Sequence, residues 1–229
     1  MGHIRTKPML TMSTSTRRRT ASGRPRPARR KAYHHGDLRR ALVDAAIELV
    51  RDRGPDGFTL REAARRVGVS QTAPYRHFAT KDALLAAVAE QGFLDLHRRL
   101  SEAAETAGTE PRLRLRAQGL AAFQSYVGDP ARFRVMFGRV SSRKDRYPAL
   151  ADAWRRVNAL LFQSLVACQR AGEIREGDPL ELGLTIAAMT HGLASLVVDG
   201  QLGAVAEDSA AAAELFDRAR AVLFRGLHP

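Results

Sequence analysis

Phe58–Leu85 reads FTLREAARRVGVSQTAPYRHFATKDALL, and its punctuation decides the fold. Thr59 and Glu62 form a T-x-x-E box in which each side chain can satisfy the other's free backbone N–H. A short helix therefore opens at Leu60 and runs to Val67. Gly68 supplies a turn that usually wants a positive φ. Ser70 can then cap a further short helix, expected from Gln71 to about Phe78, and Thr80 can cap a long one from Lys81 to about Glu105. Ala63, Ala64 and Val67 make an inner face small enough for the next helix to cross closely, and Val69 plugs the core beneath the turn. Two short helices joined by a Gly-containing turn of about three residues describe a helix-turn-helix. The solvent face of its second helix carries Gln71, Thr72, Ala73, Tyr75, Arg76 and His77, a polar and basic mix sized for a major groove.

Upstream, Leu38, Leu42, Ala45, Ala46, Leu49 and Val50 fall at three-to-four-residue spacing. They make one apolar stripe that Gly54 ends as a C-cap. Downstream, turn signals divide the chain into helical stretches 110–127, 130–140, 147–171, 178–200 and 208–227, and none alternates as a strand does. The expected architecture is all-α, about nine helices. Residues 34–80 form a three-helix DNA-binding unit and residues 81–229 a larger bundle.

The chain has 229 residues and a formal charge of +13 that is unevenly placed. Residues 1–33 hold ten Lys and Arg and no acidic residue, whereas the surplus beyond them is small. That segment lacks apolar periodicity and is read as disordered. A polyanionic partner follows, nucleic acid ahead of membrane lipid. A merely solubilising tail is the alternative. The single cysteine, Cys168, excludes a disulfide framework within the chain. No run of about 18 uncharged apolar residues is found, so no bilayer-spanning segment is expected. The start of the chain has no apolar h-region, and a soluble cytoplasmic protein is expected. His34, His35, His77, His97 and His191 are scattered without metal-ligand spacing, and no nucleophile–base pair stands out. Neither a metal, a cofactor nor an enzymatic activity is expected.

The stretch from Leu38 to Leu85 resembles the DNA-binding domain of TetR-family transcriptional regulators. The shared pattern is an amphipathic first helix, then Phe58-Thr59-x-x-x-x-Ala63, Gly68-Val69-Ser70, Tyr75-x-x-Phe78 and Lys81-x-x-Leu84-Leu85. It departs at Thr72-Ala73-Pro74, where many members have a small residue, then Thr or Ser, then an aliphatic one. The resemblance implies that Thr59, Tyr75, His77 and Lys81 bind phosphate oxygens. Base reading falls to Gln71, Thr72 and Arg76, with Arg61 reaching in from the preceding helix, while Ala73 lacks a hydroxyl for contact. Each has a structural alternative: Thr59 as an N-cap, Tyr75 and His77 as packing, and the Arg61, Arg65, Arg66 run as a solvated face.

The bundle resembles the WHG type of TetR C-terminal domain in two places, Asp129-Pro130-x-x-Phe133-Arg134-Val135-Met136-Phe137 and His191-Gly192-Leu193-Ala194. The name-giving tryptophan is missing, Ala187-Ala188-Met189 standing before His191. The resemblance implies a homodimer with a small-molecule effector, double-stranded DNA with a palindromic operator, and a repressor's role. Phe123, Met136, Phe137, Trp154, Phe162, Met189 and His191 are the candidate ligand-lining residues, ordinary core being the alternative for each. No charged cluster marks an ionic ligand, so an apolar or aromatic effector is expected. The competing functions are an architectural DNA-coating protein, a regulator without a ligand, and a small-molecule enzyme or carrier.

Overall fold

The computed structural model describes residues 35–203 and 208–226; the basic segment 1–33 lies outside them. Among the described residues there is no strand. Eight α-helices follow in order: α1 (His35–Arg53), α2 (Leu60–Val67), α3 (Lys81–Thr106), α4 (Pro111–Gly128), α5 (Pro130–Met136), α6 (Pro148–Arg170), α7 (Pro179–Val198) and α8 (Ser209–Arg225). Two 3₁₀ segments, Ala73–Arg76 and Ser141–Arg146, complete the described set.

Local chemistry explains most of the boundaries. Helices α4, α5, α6 and α7 each begin on proline, whose fixed φ suits the first turn and whose missing N–H is no loss there. Aspartate side chains at 129, 178 and 208 accept backbone N–H groups of the turns they precede. Gly68 closes α2 at φ +78°, a left-handed conformation that a side chain would oppose, and its N–H reaches the Ala64 and Arg65 carbonyls.

The expected helix from Gln71 to Phe78 is instead a single 3₁₀ turn, Ala73–Arg76. Pro74 is the reason. An α-helix capped at Ser70 takes its first internal hydrogen bond from the N–H of residue 74, which proline lacks, and the ring crowds the Ser70 carbonyl. The Ala73 N–H donates to that carbonyl instead (3.0 Å), and the His77 N–H donates to the Pro74 carbonyl (2.9 Å). Ser70 makes no cap; its hydroxyl lies 3.3 Å from that of Thr72. The stretch expected to be helical over 130–140 likewise stops at Met136, because the chain leaves helical dihedrals at Phe137 (φ −110°, ψ 7°) ahead of Gly138.

Helix α3 is the spine. Its Leu84, Leu85, Val88, Phe93, Leu96 and Leu100 are buried against α1, α4, α5 and α6. The core runs without a break from Leu42 and Phe58 near the helix-turn-helix to Phe123, Phe133 and Phe216 in the bundle. A second cluster joins Leu115, Leu165, Cys168, Leu182, Ile186 and Phe224. Helix α7 is the most apolar: by length and composition alone it could cross a membrane, with a mean hydropathy of 1.4. Its Leu182, Ile186, Thr190 and Ala194 face is buried within the bundle.

Candidate nucleic-acid interface and ligand cavity

The capping box foreseen at Thr59 is formed. The Glu62 N–H donates to Thr59 Oγ1 (3.2 Å), and the Thr59 N–H donates to Glu62 Oε2 (2.9 Å). The Thr59 hydroxyl also lies 3.1 Å from Glu62 Oε2, and Arg53 reaches Oε1 at 2.8 Å. These bonds, those from Thr59 first, hold the Glu62 carboxyl below its ordinary range. The 3₁₀ turn is pinned from below by Pro74 and Phe78, both buried, with the Arg39 guanidinium 5.6 Å from the Phe78 ring centre. This anchoring turns Gln71, Thr72, Tyr75 and Arg76 outward, Tyr75 being 49% exposed; Ala73 and His77 are half-buried.

Ion pairing divides the arginines of α2. Arg66 donates to Glu48 (2.8 Å) and Asp52 (2.9 Å), tying α2 to α1, and Arg65 lies 3.7 Å from Glu62. Arg61 and Arg76 are exposed and have no acidic partner among the described residues. Lys81 is less available. Its Nζ donates to the Asp56 carbonyl (3.0 Å) and sits 4.8 Å above the Phe58 ring, so it braces the loop before α2.

A cavity of about 450 Å³ lies between α3, α4, α6 and α7. Phe137, Trp154 and His191 line it, together with Phe93 and Tyr126. Edge contacts order this aromatic end: Phe137 stands 4.6 Å from the His191 ring centre and 5.1 Å from that of Tyr126. Lys144 Nζ lies 4.6 Å from the centre of the Trp154 ring. Burial lowers the His191 pKa and raises that of the Tyr126 phenol, so both are neutral at physiological pH. Among the described residues no Asp, Glu, Lys or Arg lines the cavity; its polar side chains include Gln118, Asn158 and Thr190. The Gln118 carbonyl accepts from the Ser164 hydroxyl (2.7 Å), and the Asn158 amide donates to the Trp154 carbonyl (2.8 Å).

The other four candidate lining residues sit elsewhere. Phe123 is fully buried and stacked on Phe216 at 4.9 Å. Met136 borders a separate 240 Å³ pocket under α5 and packs on Gly92. Phe162 is half-buried, its ring facing Gly183 of α7 and bordering a separate pocket along α6, and Met189 packs against the main core. Gln118, Asn158 and Thr190 were not foreseen as lining. Helical periodicity marks which face a residue takes, but not which neighbouring helix leaves a gap beside it. Cys168 is buried away from the cavity, and burial, with the Glu173 carboxylate beside it, pushes its thiol up to about 12. Among the described residues no three His, Cys, Asp or Glu side chains stand together as a metal site.

Comparison with known proteins covers both parts of the chain. Residues 42–88 match the family model for bacterial regulatory proteins of the tetR family, and residues 115–223 match the tetracyclin repressor-like C-terminal domain. The chain belongs to the TetR family. The class C tetracycline repressor of Escherichia coli is 50% identical over 52 residues, covering 23% of this chain and 24% of that protein. The chain thus matches about a quarter of the length of the tetracycline repressors. The HTH-type transcriptional regulator BetI of Brucella canis is 29% identical over 194 residues, 82% of this chain and 92% of that one. A solved structure of a protein of unknown function from Rhodococcus sp. RHA1 has 31% identity and a TM-score of 0.72, covering 87% of this chain and all of that one. Within its TetR-type head, this chain carries a Thr72-Ala73-Pro74 turn, and the proline fixes its 3₁₀ form.

Proposed function

We propose that this TetR-family member is a sequence-specific DNA-binding transcriptional regulator, a cytoplasmic repressor without enzymatic activity. In this reading the unit 34–80 reads DNA, and the body 81–229 pairs with a second copy and binds an effector. A small neutral apolar or aromatic ligand in the 450 Å³ cavity releases a palindromic operator. The observation that carries the reading is that Gln71, Thr72, Tyr75 and Arg76 are turned outward on a segment seated on the buried Pro74 and Phe78, while Arg61 of α2 is exposed with no acidic partner among the described residues. Gln71 and Arg76 are suited to base edges, and Tyr75, with the N-terminus of α3, to phosphates. In this reading Arg61 reaches in from α2, and Thr72 and His77 add contacts of their own. That no charged side chain among the described residues lines the cavity supports a neutral ligand, since an ion there would lose its hydration without a direct counter-charge.

Selection of bound duplexes from a random pool by the purified full chain tests this. A palindrome with two half-sites about one helical turn apart is expected. Gln71→Ala and Arg76→Ala should each relax base preference at one position, costing about 1–3 kcal/mol. Tyr75→Phe should weaken binding evenly across sequences. If Gln71→Ala and Tyr75→Ala hold the selected site as firmly as the parent, the reading fails.

A further inference from the structure

We infer that the ligand cavity is only half of a binding site, and that its open side is closed by a second copy of the chain. This rests on the homodimer proposed above and goes beyond it. Four lining residues are themselves exposed: Phe137 and, on α7, Leu184, Ala187 and Ala188. The mouth therefore runs along α7. Leu184 is 68% exposed and Leu180, one turn earlier, 61%. These are the two most exposed leucines on the described surface, on its most apolar helix.

A second copy fits this face for two reasons. The first is charge: between Pro179 and Val198 the only charged residue is Glu181, so two such faces can meet across a two-fold axis with little like-charge opposition. The second is area. A face as long as α7 (20 residues) and two helices wide measures ~30 by ~20 Å, on the order of 600 Å² of plane, close to the ~800 Å² of accessible surface per partner in stable complexes. A lipid surface is a poorer occupant, because the opposite face of α7 is locked into the bundle by Leu182, Ile186 and Ala194.

An apolar ligand in the separated chain would keep one side in water, whereas ligand sites ordinarily bury most of their occupant. In the dimer the partner's α7 lies over the mouth. Ligand affinity and self-association are then linked, and each of the two cavities strengthens self-association by the factor that self-association adds to its own affinity.

The test uses the full chain and N-phenyl-1-naphthylamine, a neutral aromatic probe that brightens in apolar surroundings. Sedimentation velocity locates the monomer and dimer concentration ranges, and probe titrations are made in each. Leu180→Glu supplies a second monomer: Leu180 is exposed, does not line the cavity, and a glutamate suits the first turn of a helix. The expected result is an affinity about tenfold or more higher in the dimer range, with saturating probe tightening self-association by the square of that factor, because the dimer holds two cavities. Leu180→Glu, with unchanged helical circular dichroism, should bind as the dilute monomer does. Equal affinity in monomer and dimer, or a dimer that leaves the probe dark, overturns the closure while leaving the dimer in place. A chain that stays monomeric at every accessible concentration overturns the closure and the dimer together, and leaves the DNA-reading head to its own test.

Discussion

At Thr59 one hydroxyl faces two demands. It accepts the Glu62 amide and lies against the Glu62 carboxylate, so donating to a phosphate means turning away from that carboxylate. Thr59→Ala should therefore lower the urea midpoint by the equivalent of about 1 kcal/mol, as loss of an N-cap does, whatever its effect on DNA. Because the Glu62 carboxyl titrates below its ordinary value, the support it gives is present above that value and is lost as pH falls through the lower folded one. His191 acts in the same direction for a different reason. Burial disfavours its imidazolium, so the folded chain takes up its proton at a lower pH than the ordinary 6.5. Above 6.5 this costs nothing. Below it the unfolded chain binds the proton first and stability falls until the lower folded pKa is reached. Thermal melts between pH 7.5 and 5 should show this decline, and His191→Gln should flatten it. What the sequence shows at this scale is uneven. The capping box is legible because its partners are three residues apart. The sorting of Arg61 from Arg66 is not, because Glu48 and Asp52 are brought in by the crossing of α1.

Helix ends were legible for a related reason, since the signals that set them are local. Proline at the first position and aspartate before it mark the starts of α5 and α7 within two residues. The segment from Gln71 to Phe78 carries a stop signal of the same kind, Pro74, at a position where it removes the first internal hydrogen bond. Gln71, Thr72, Tyr75 and Arg76 still face outward, although the helix does not form and Ala73 and His77 are half-buried. Between elements, α3 passes close to α5 at Gly92. A Cβ at Gly92 would lie 2.6 Å from Met136 Sδ and 2.8 Å from its Cγ. Gly92→Ala should lower the melting temperature by the equivalent of about 1–3 kcal/mol, the usual cost of overpacking. Adding Met136→Ala should recover part of it, because contacting residues are not additive; a strictly additive pair of losses would show that the cost at Gly92 does not arise from Met136.

At the scale of the molecule, charge and shape were read from different sources. The ten basic residues of the first 33 are plain in the sequence, and deleting residues 1–32 should flatten the log–log salt dependence of DNA binding while sparing base preference. An unaltered slope would mean that the arm touches no phosphate. The cavity, by contrast, depends on how four helices splay. Phe137, Trp154 and His191 could be named in advance, but Gln118 and Asn158 could not, because a polar residue on an apolar face gives no sign of an empty volume beside it. Arg51 of α1 stands 3.6 Å from Asp129, the cap of α5, and Arg139 stands 3.8 Å from Asp56, in the loop before α2, so the head is braced against the body. Trp154 is the only tryptophan in the chain, and its indole forms part of that cavity's wall. Intrinsic emission excited near 295 nm therefore reports from this one place, and a compound library can be screened for the natural effector by quenching alone, with no label attached and no operator in hand.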